Sequence, residues 1–176
     1  MSNKDTQTKK KVAKKLSERY LRNAGEYYLN RFPASSDHFV KVMTRKIDRS
    51  CKDHPDQDRQ KWVDHLKTEV VPYFQKIGFL NDALYANALF ESLRKRGLSK
   101  MMIISKMSQK SVPSHLIDEV LSQDFNDKDA VINFAKKKKI GRYNPHGYAT
   151  PKDRHRDLGK LARAGFSYDI AMSVFD

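Results

Sequence analysis

Apolar residues recur along this chain at steps of three and four and nowhere alternate convincingly with polar ones, which is the signature of helices and not of strands. Leu16, Tyr20, Ala24 and Tyr28 fall four apart, joined by Leu21 and Leu29, and predict an amphipathic helix over about 14–31. Gly25 weakens it by roughly 1 kcal/mol relative to alanine, and Phe32-Pro33 closes it. Ser35 is placed to cap a second helix with Phe39 and Met43 on one face. Residues 50–58, with Asp53, Pro55, Asp56 and Asp58, read as a polar loop. A third helix puts Trp62, Leu66, Val70, Phe74 and Ile77 inward. Pro72 should kink it by removing one hydrogen bond of the ladder, and Gly78 suits the residue just past its end.

Asn81 or Asp82 then caps a helix with Leu84, Tyr85, Ala88, Leu89 and Leu93 inward, ending near Gly97. Ser99 starts the next, which carries Ile103 and Met107, and Pro113 at a first helical position leads another with Leu116, Ile117, Val120 and Leu121. The tail repeats the theme with Ala130, Phe134 and Ala135, a loop from Gly141 to Thr150, then Leu158 and Leu161, then Ile170, Val174 and Phe175. The pattern predicts an all-α chain of nine short helices. Seven glycines and six prolines are too few for a turn-rich all-β chain, so composition agrees.

Sliding the chain along itself exposes a repeat. At an offset of 64, Tyr20, Leu21, Ala24, Leu29, Ser35, Phe39 and Met43 fall on Leu84, Tyr85, Ala88, Leu93, Ser99, Ile103 and Met107. At 45, Phe125-Asn126-Asp127 falls on Leu80-Asn81-Asp82, and at 54, Phe166, Ile170, Ala171, Val174 and Phe175 fall on Val112, Leu116, Ile117, Val120 and Leu121. The economical description is a basic arm over 1–13 and three units of three helices over 14–78, 79–124 and 125–176, the last with the longest loop. Each unit is too small to cover its own apolar stripe, so neighbours are expected to stack into an elongated body suited to binding along something long.

The charge is uneven. Of a net +14, residues 1–20 carry +5 and residues 130–163 carry +8, leaving the rest nearly balanced. Two concentrated patches are what a polyanion partner requires. For Lys9, Lys10, Lys11, Lys14 and Lys15 a solvated arm is the plain alternative. Lys136, Lys137, Lys138 and Lys139 would complement a helix dipole, yet four cations exceed what capping needs. No run approaches the roughly 20 apolar residues of a membrane span. A single cysteine, Cys51, suits a reducing compartment, and a cytoplasmic location is expected.

Catalytic and cofactor chemistry has little to stand on. There is no Gly-x-x-x-x-Gly-Lys-[Ser/Thr] loop and no Gly-x-Gly-x-x-Gly, so a phosphate cradle is not expected. Cys51-x-x-His54 with His65 lacks the second thiolate of a zinc site. Asp53, Asp56 and Asp58 lack the glycine and terminal glutamate of a calcium loop and read as a solvated turn. His115 reads as a helix-surface residue and Asn144-Pro145-His146-Gly147 as turn chemistry. Trp62 is expected in the core, as are Met101, Met102 and Met107, although methionines also build adaptable contact surfaces. No catalytic residue, metal or cofactor is assigned.

The stretch Gly78-Phe79-Leu80-Asn81-Asp82, then Tyr85-Ala86, Arg94, Arg96-Gly97, Ile103, Lys110 and Val112, resembles the central motif of the RecX recombination regulators. Leu158-Gly159-Lys160-Leu161-Ala162-Arg163-Ala164-Gly165-Phe166-Ser167-Tyr168 is similar to that family's closing helix pair, and Lys136 to Lys139 before Ile140-Gly141 is similar to its basic run. The resemblance covers about residues 14–176. It departs at Ser111, where the family commonly has glycine, at Asn81, which replaces a frequent acid, and over 100–110, which is poorer in basic residues. What it implies is a right-handed superhelix of tandem three-helix repeats that lodges in the groove of the RecA–DNA filament. There such proteins restrain strand exchange, ATP hydrolysis and co-protease activity, and so act on homologous recombination, DNA repair and the SOS response.

On that reading the partners are the RecA filament and, more weakly, single- and double-stranded DNA, bound by a monomer. The contact residues expected are Arg94, Lys95 and Arg96 from the second unit and Lys136, Lys137, Lys138, Lys139, Arg142, Arg154 and Arg156 from the third. Arg163, Lys100 and Lys160 follow behind them. Tyr143, Tyr148 and His146 lie among the cations and are expected to pack the loop down in preference to stacking on bases. The alternative is a basic helical DNA-binding module acting without RecA, although its would-be recognition helices, 99–110 and 167–175, carry few base-reading side chains. A nuclease would need clustered carboxylates for metal, and none are seen.

Overall fold

Helices begin in this protein where a small polar side chain takes up the backbone N–H groups that a first turn leaves without a partner. A computed structural model describes residues 12–122, 125–148 and 150–175, so the expected arm lies outside them except for Val12 and Ala13. Ser17 caps α1 (Glu18–Leu29), Ser35 caps α2 (Ser36–Asp53), and Asp58 caps α3 (Arg59–His65) by accepting from the Gln60 and Lys61 N–H groups. A π turn over Leu66–Val70 leads into α4 (Val71–Lys76). Asn81 caps α5 (Asp82–Lys95), Ser99 caps α6 (Lys100–Gln109), and Pro113 precedes α7 (Ser114–Leu121). Asn126 caps α8 (Asp127–Lys138), Thr150 caps α9 (Pro151–Arg163) after a short 3-10 turn at Gly141–Tyr143, and Ser167 caps α10 (Tyr168–Met172). Among the described residues there is no strand.

The first helix starts later than its periodicity predicts, because the backbone before it bonds elsewhere. The Ala13 N–H donates to the Asp53 carboxylate at 2.7 Å and the His54 Nε2–H donates to the Ala13 carbonyl at 2.8 Å. Ser50 Oγ donates to the Lys14 carbonyl at 2.7 Å, and the Leu16 N–H donates to Gln57 Oε1 at 2.7 Å. Residues 12–17 thus form a strap along the first unit. The expected polar loop over 50–58 is corrected accordingly: α2 runs on through Asp53, and the remaining residues close over the strap. Asp53, Asp56 and Asp58 are not an idle solvated turn, since each has a bonded partner.

Pro72 acts one turn earlier than a simple kink. Having no N–H, it leaves one carbonyl of the ladder unserved, and its ring crowds the preceding turn. The helix answers with the wide turn, in which the Val71 N–H donates to the Leu66 carbonyl five residues back. The inserted residue rotates the buried face. Val63, Leu66, Val70, Val71 and Phe74 point inward, while Trp62 is half-buried and Ile77 is exposed, against expectation. Gly78 ends the helix at φ +80 as anticipated, and the Phe79 and Leu80 N–H groups both donate to the Phe74 carbonyl. The inward face of α5 also differs: Ala86, Phe90 and Leu93 are buried, Tyr85 and Leu89 half-buried, and Leu84 and Ala88 exposed.

The chain divides into two units, residues 1–80 and 81–176, each with its own apolar core. In the first, Leu21, Phe39, Met43, Ile47, Leu66 and Phe74 are completely enclosed. Gly25 weakens α1 but is needed there, because a Cβ would sit 2.7 Å from the Phe74 ring and 2.9 Å from that of Phe39. In the second, Phe90, Ile103, Met107, Val120, Ile140 and Leu161 anchor one cluster running from α5 to α10. Each such side chain contributes about 1.5–3 kcal/mol relative to exposure.

Candidate nucleic-acid interface

The basic run of residues 136–139 sits where helix electrostatics favours it. Asp127 and Asp129 occupy the first turn of α8 and Lys136, Lys137 and Lys138 the last, each sign matched to its end of the dipole. Lys139 then turns the chain at φ +53, so that buried Ile140 returns to the core. The Lys137 ammonium donates to the Lys95 carbonyl, which ties this run to the Arg94-Lys95-Arg96 end of α5. The two stretches expected to bind a polyanion are therefore joined within the second unit.

Around that junction lies an open cavity of about 340 Å³, lined in part by Arg96, Met102, Lys106, Phe134, Lys160 and Arg163. Four cations and no carboxylate stand among the described lining residues. Lys160 is partly neutralised by Asp157 at 2.7 Å, whereas no described carboxylate pairs with Arg96, Lys106 or Arg163. Lys106 and Met102 were not expected here. Their signal was faint: they are four apart on α6, beside the buried pair Ile103 and Met107. Of the three methionines assigned to the core only Met107 is enclosed, while Met102 lines the cavity and Met101 is 65% exposed.

The remaining expected contacts divide by what they already touch. Arg94 pairs with Glu91 at 2.9 Å and Arg156 with Asp153 at 3.3 Å, both at the surface where such pairs are weak. Lys136 and Arg142 stand 5.6 and 5.7 Å from the Tyr143 ring centre, and Arg154 lies 5.2 Å over Phe175. Arg142 has a structural task, since its guanidinium donates to the Ser173 carbonyl at 2.8 Å and its own N–H to that of Val174 at 2.8 Å. Lys95, Lys138 and Lys139 are exposed.

Tyr148 packs its loop down through a chain of hydrogen bonds. Its hydroxyl accepts from the Gly141 N–H at 2.6 Å and donates to Asp157 at 3.0 Å. Burial, with the Asp157 charge adding to it, pushes the Tyr148 hydroxyl above its ordinary value. Gly141, at φ +62, lets the backbone of Val174 come close, because a Cβ there would lie 1.9 Å from the Val174 carbonyl oxygen. His146 is exposed on the same loop.

Among the described residues no three His, Cys, Asp or Glu side chains gather as metal ligands. His54 serves the strap, and burial first, then the Asp48 charge, pushes the Cys51 thiol up. No described helix is long and apolar enough to cross a membrane.

A regulatory protein RecX from Myxococcus xanthus is 34% identical over 171 residues, spanning 94% of this chain and 89% of the relative. This chain belongs to the RecX family. The regulatory proteins RecX of Streptomyces coelicolor and Streptomyces lividans match at 32% over 110 residues, 60% of this chain and 56% of each of theirs. The crystal structure of RecX from Lactobacillus salivarius has the same fold at 17% identity, with a TM-score of 0.60 over 89% of this chain and 93% of that one. No family model matches the chain. Ser111 adopts φ +57, the left-handed conformation that glycine enters without strain.

Proposed function

We propose that this chain regulates homologous recombination by binding the RecA–DNA filament through the basic face of its second unit, most often restraining strand exchange, ATP hydrolysis and co-protease activity. The observation that carries the reading is the convergence of Arg96, Lys106, Lys160 and Arg163 on one carboxylate-free cavity beside the lysine run of α8. Cations brought near phosphate release counterions, so affinity for the filament should fall steeply with salt. At about 6–10 phosphates contacted, the loss is on the order of a thousandfold or more between 50 and 200 mM. Binding alone changes nothing; regulation follows because the protein prefers one filament geometry over another. The chain needs no fuel of its own and acts without a catalytic residue.

The same reading takes residues 14–78, 79–124 and 125–176 as three tandem three-helix repeats wound into a right-handed superhelix. Equivalent caps support it. Ser17 and Asn81 start α1 and α5, and Ser35 and Ser99 start α2 and α6, each pair 64 residues apart. Asn81 and Asn126 start α5 and α8, 45 apart. Phe39 and Met43 are as fully enclosed as their counterparts Ile103 and Met107.

The test is RecA-driven strand exchange and DNA-dependent ATP hydrolysis at saturating protein, with co-sedimentation at two salt concentrations. Inhibition with strong, salt-sensitive co-sedimentation is expected. Unchanged exchange and hydrolysis would remove the regulator, and equal affinity for bare duplex and filament would replace it with a DNA-binding module independent of RecA.

A further inference from the structure

The first unit, residues 1–80, is itself basic, with 18 Lys and Arg against 10 Asp and Glu. Along α2, Lys41, Arg45, Arg49 and Lys52 recur at steps of four, four and three, one stripe on the outer face of a helix whose inner face, Phe39, Met43 and Ile47, is enclosed in the core. An open cavity flanks the stripe on either side. One, of about 360 Å³, is lined by Lys14, Lys46 and Arg49 with the half-buried Tyr20. The other, of about 460 Å³, is lined by Lys41, Arg45, Arg59 and Lys67. No carboxylate stands among the described lining residues of either.

Four of the unit's acids are bonded to other groups. Asp53 accepts the strap's Ala13 N–H, Asp56 pairs with Lys15 at 2.5 Å, and Asp58 caps α3. Asp48, on the stripe's side of α2, pairs with Arg59 at 2.7 Å. Part of the unit's excess of cations thus faces two grooves whose described lining holds no acid.

We propose that α2 is a second phosphodiester-binding ridge, separate from the basic face of the second unit, which tracks a nucleic-acid backbone between its two flanking grooves. A polymer of closely spaced phosphates suits a stripe of four cations about 16 Å long, at a rise of about 1.5 Å per residue. A lipid surface does not. A helix lying in a membrane interface inserts an apolar face, and that of α2 is committed to the core. Tyr20 adds a ring at the wall of one groove, where a base leaving the stack would find a surface. The ridge does not depend on RecA, so it stands or falls apart from the regulatory reading.

The experiment uses the full chain and a fluorescent 30-base-pair duplex without RecA, measuring affinity from 50 to 200 mM salt. The ridge variant R45Q/K46Q/R49Q should lower the slope of log affinity on log salt by roughly 2–3, so that the wild type loses roughly 40-fold more affinity across that range. The control R19Q/R31Q/K76Q removes equal charge from residues that line neither groove and should shift the slope by less than about 1. A charge-preserving R45K/R49K variant should keep the slope. R96Q/K106Q/R163Q in the second unit should lower it separately, and the two sets should add. Equal shifts from ridge and control variants, or no shift from the ridge variant, would overturn the proposal. So would loss of binding to phosphatidylserine vesicles with the DNA slope unchanged, which would give the ridge to a lipid surface.

Discussion

Two irregular segments, the strap of residues 12–17 and the loop of residues 139–148, are each held against their own unit by hydrogen bonds in which carboxylates take part, but the bonds are connected differently. The strap is held by several bonds in parallel, of which only the ion pair lies open to water. Its ion pair, Lys15 with Asp56, has side chains 61% exposed on both partners, and its other bonds come from Asp53, His54, Ser50 and Gln57 in parallel. The loop is held through one series, Gly141 to Tyr148 to Asp157, with Lys160 on the far side of a carboxylate whose side chain is only 8% exposed. Parallel bonds are individually less critical, since the loss of one leaves the others in place. Those of a buried series are not, because removing one member strands the next away from solvent.

That contrast predicts its own largest effect at the loop. Gly141→Ala combines left-handed backbone with a Cβ 1.9 Å from the Val174 oxygen. Backbone strain of about 1–2 kcal/mol and overpacking of about 1–3 kcal/mol give a loss of roughly 2–5 kcal/mol, read from the urea midpoint. Tyr148→Phe comes next. It leaves the Gly141 N–H and Asp157 without their shared partner and should cost about 1–3 kcal/mol. Because burial in the folded state keeps the Tyr148 hydroxyl protonated to higher pH, its contribution is complete below the unfolded value of about 10 and is lost as pH rises through the folded one. Urea midpoints followed from pH 8 upward should fall for the wild type and fall less for the variant. A Tyr148→Phe protein as stable as wild type would show that the loop, too, is held in parallel.

How far the sequence carried this picture depended on the range of each interaction. The caps at Ser35, Asn81 and Ser99 were legible because a side chain and an N–H two or three residues on decide them. Phe39 and Met43, with Ile103 and Met107, were legible because four-residue spacing puts each pair on one face of its helix. The face of α5 was not, since its seven apolar residues from Leu84 to Leu93 offer two overlapping stripes, and the packing of α6 and α7 against α5 leaves Phe90 buried and Leu84 exposed. The strap was invisible for a related reason: its partners lie about 40 positions away, at Asp53, His54 and Gln57. At the basic face the cations were readable as charge. Their gathering with Lys106 was not, because it needs α6 to lie beside α9, which no local pattern states.

Within the strap, the bond that most nearly resembles the loop is that of Ser50, which is 1% exposed and both donates to the Lys14 carbonyl and accepts from Gln57 Nε2. Ser50→Ala should cost about 1 kcal/mol by urea unfolding, less than Tyr148→Phe because the other strap bonds remain. A larger loss than that of the tyrosine variant would reverse the ranking of the two segments.

Asp56 marks the weak end of the comparison. The hydrogen bond from Lys15 is the main cause holding its carboxyl below the usual carboxylate range, with the lysine charge assisting. A depressed folded value means that its stabilisation is present above the unfolded value of about 3.9 and fades as pH falls through the folded one. The pair is open to water and counterions, so the effect is the smallest of the four and shrinks further with salt. Asp56→Asn should leave the Tm at pH 7 indistinguishable from wild type in 150 mM salt and flatten only the acid limb of a Tm-against-pH curve at low salt. A drop at pH 7 matching that of Ser50→Ala would mean that the strap depends on this single ion pair, and that its bonds act in series as those of the loop do.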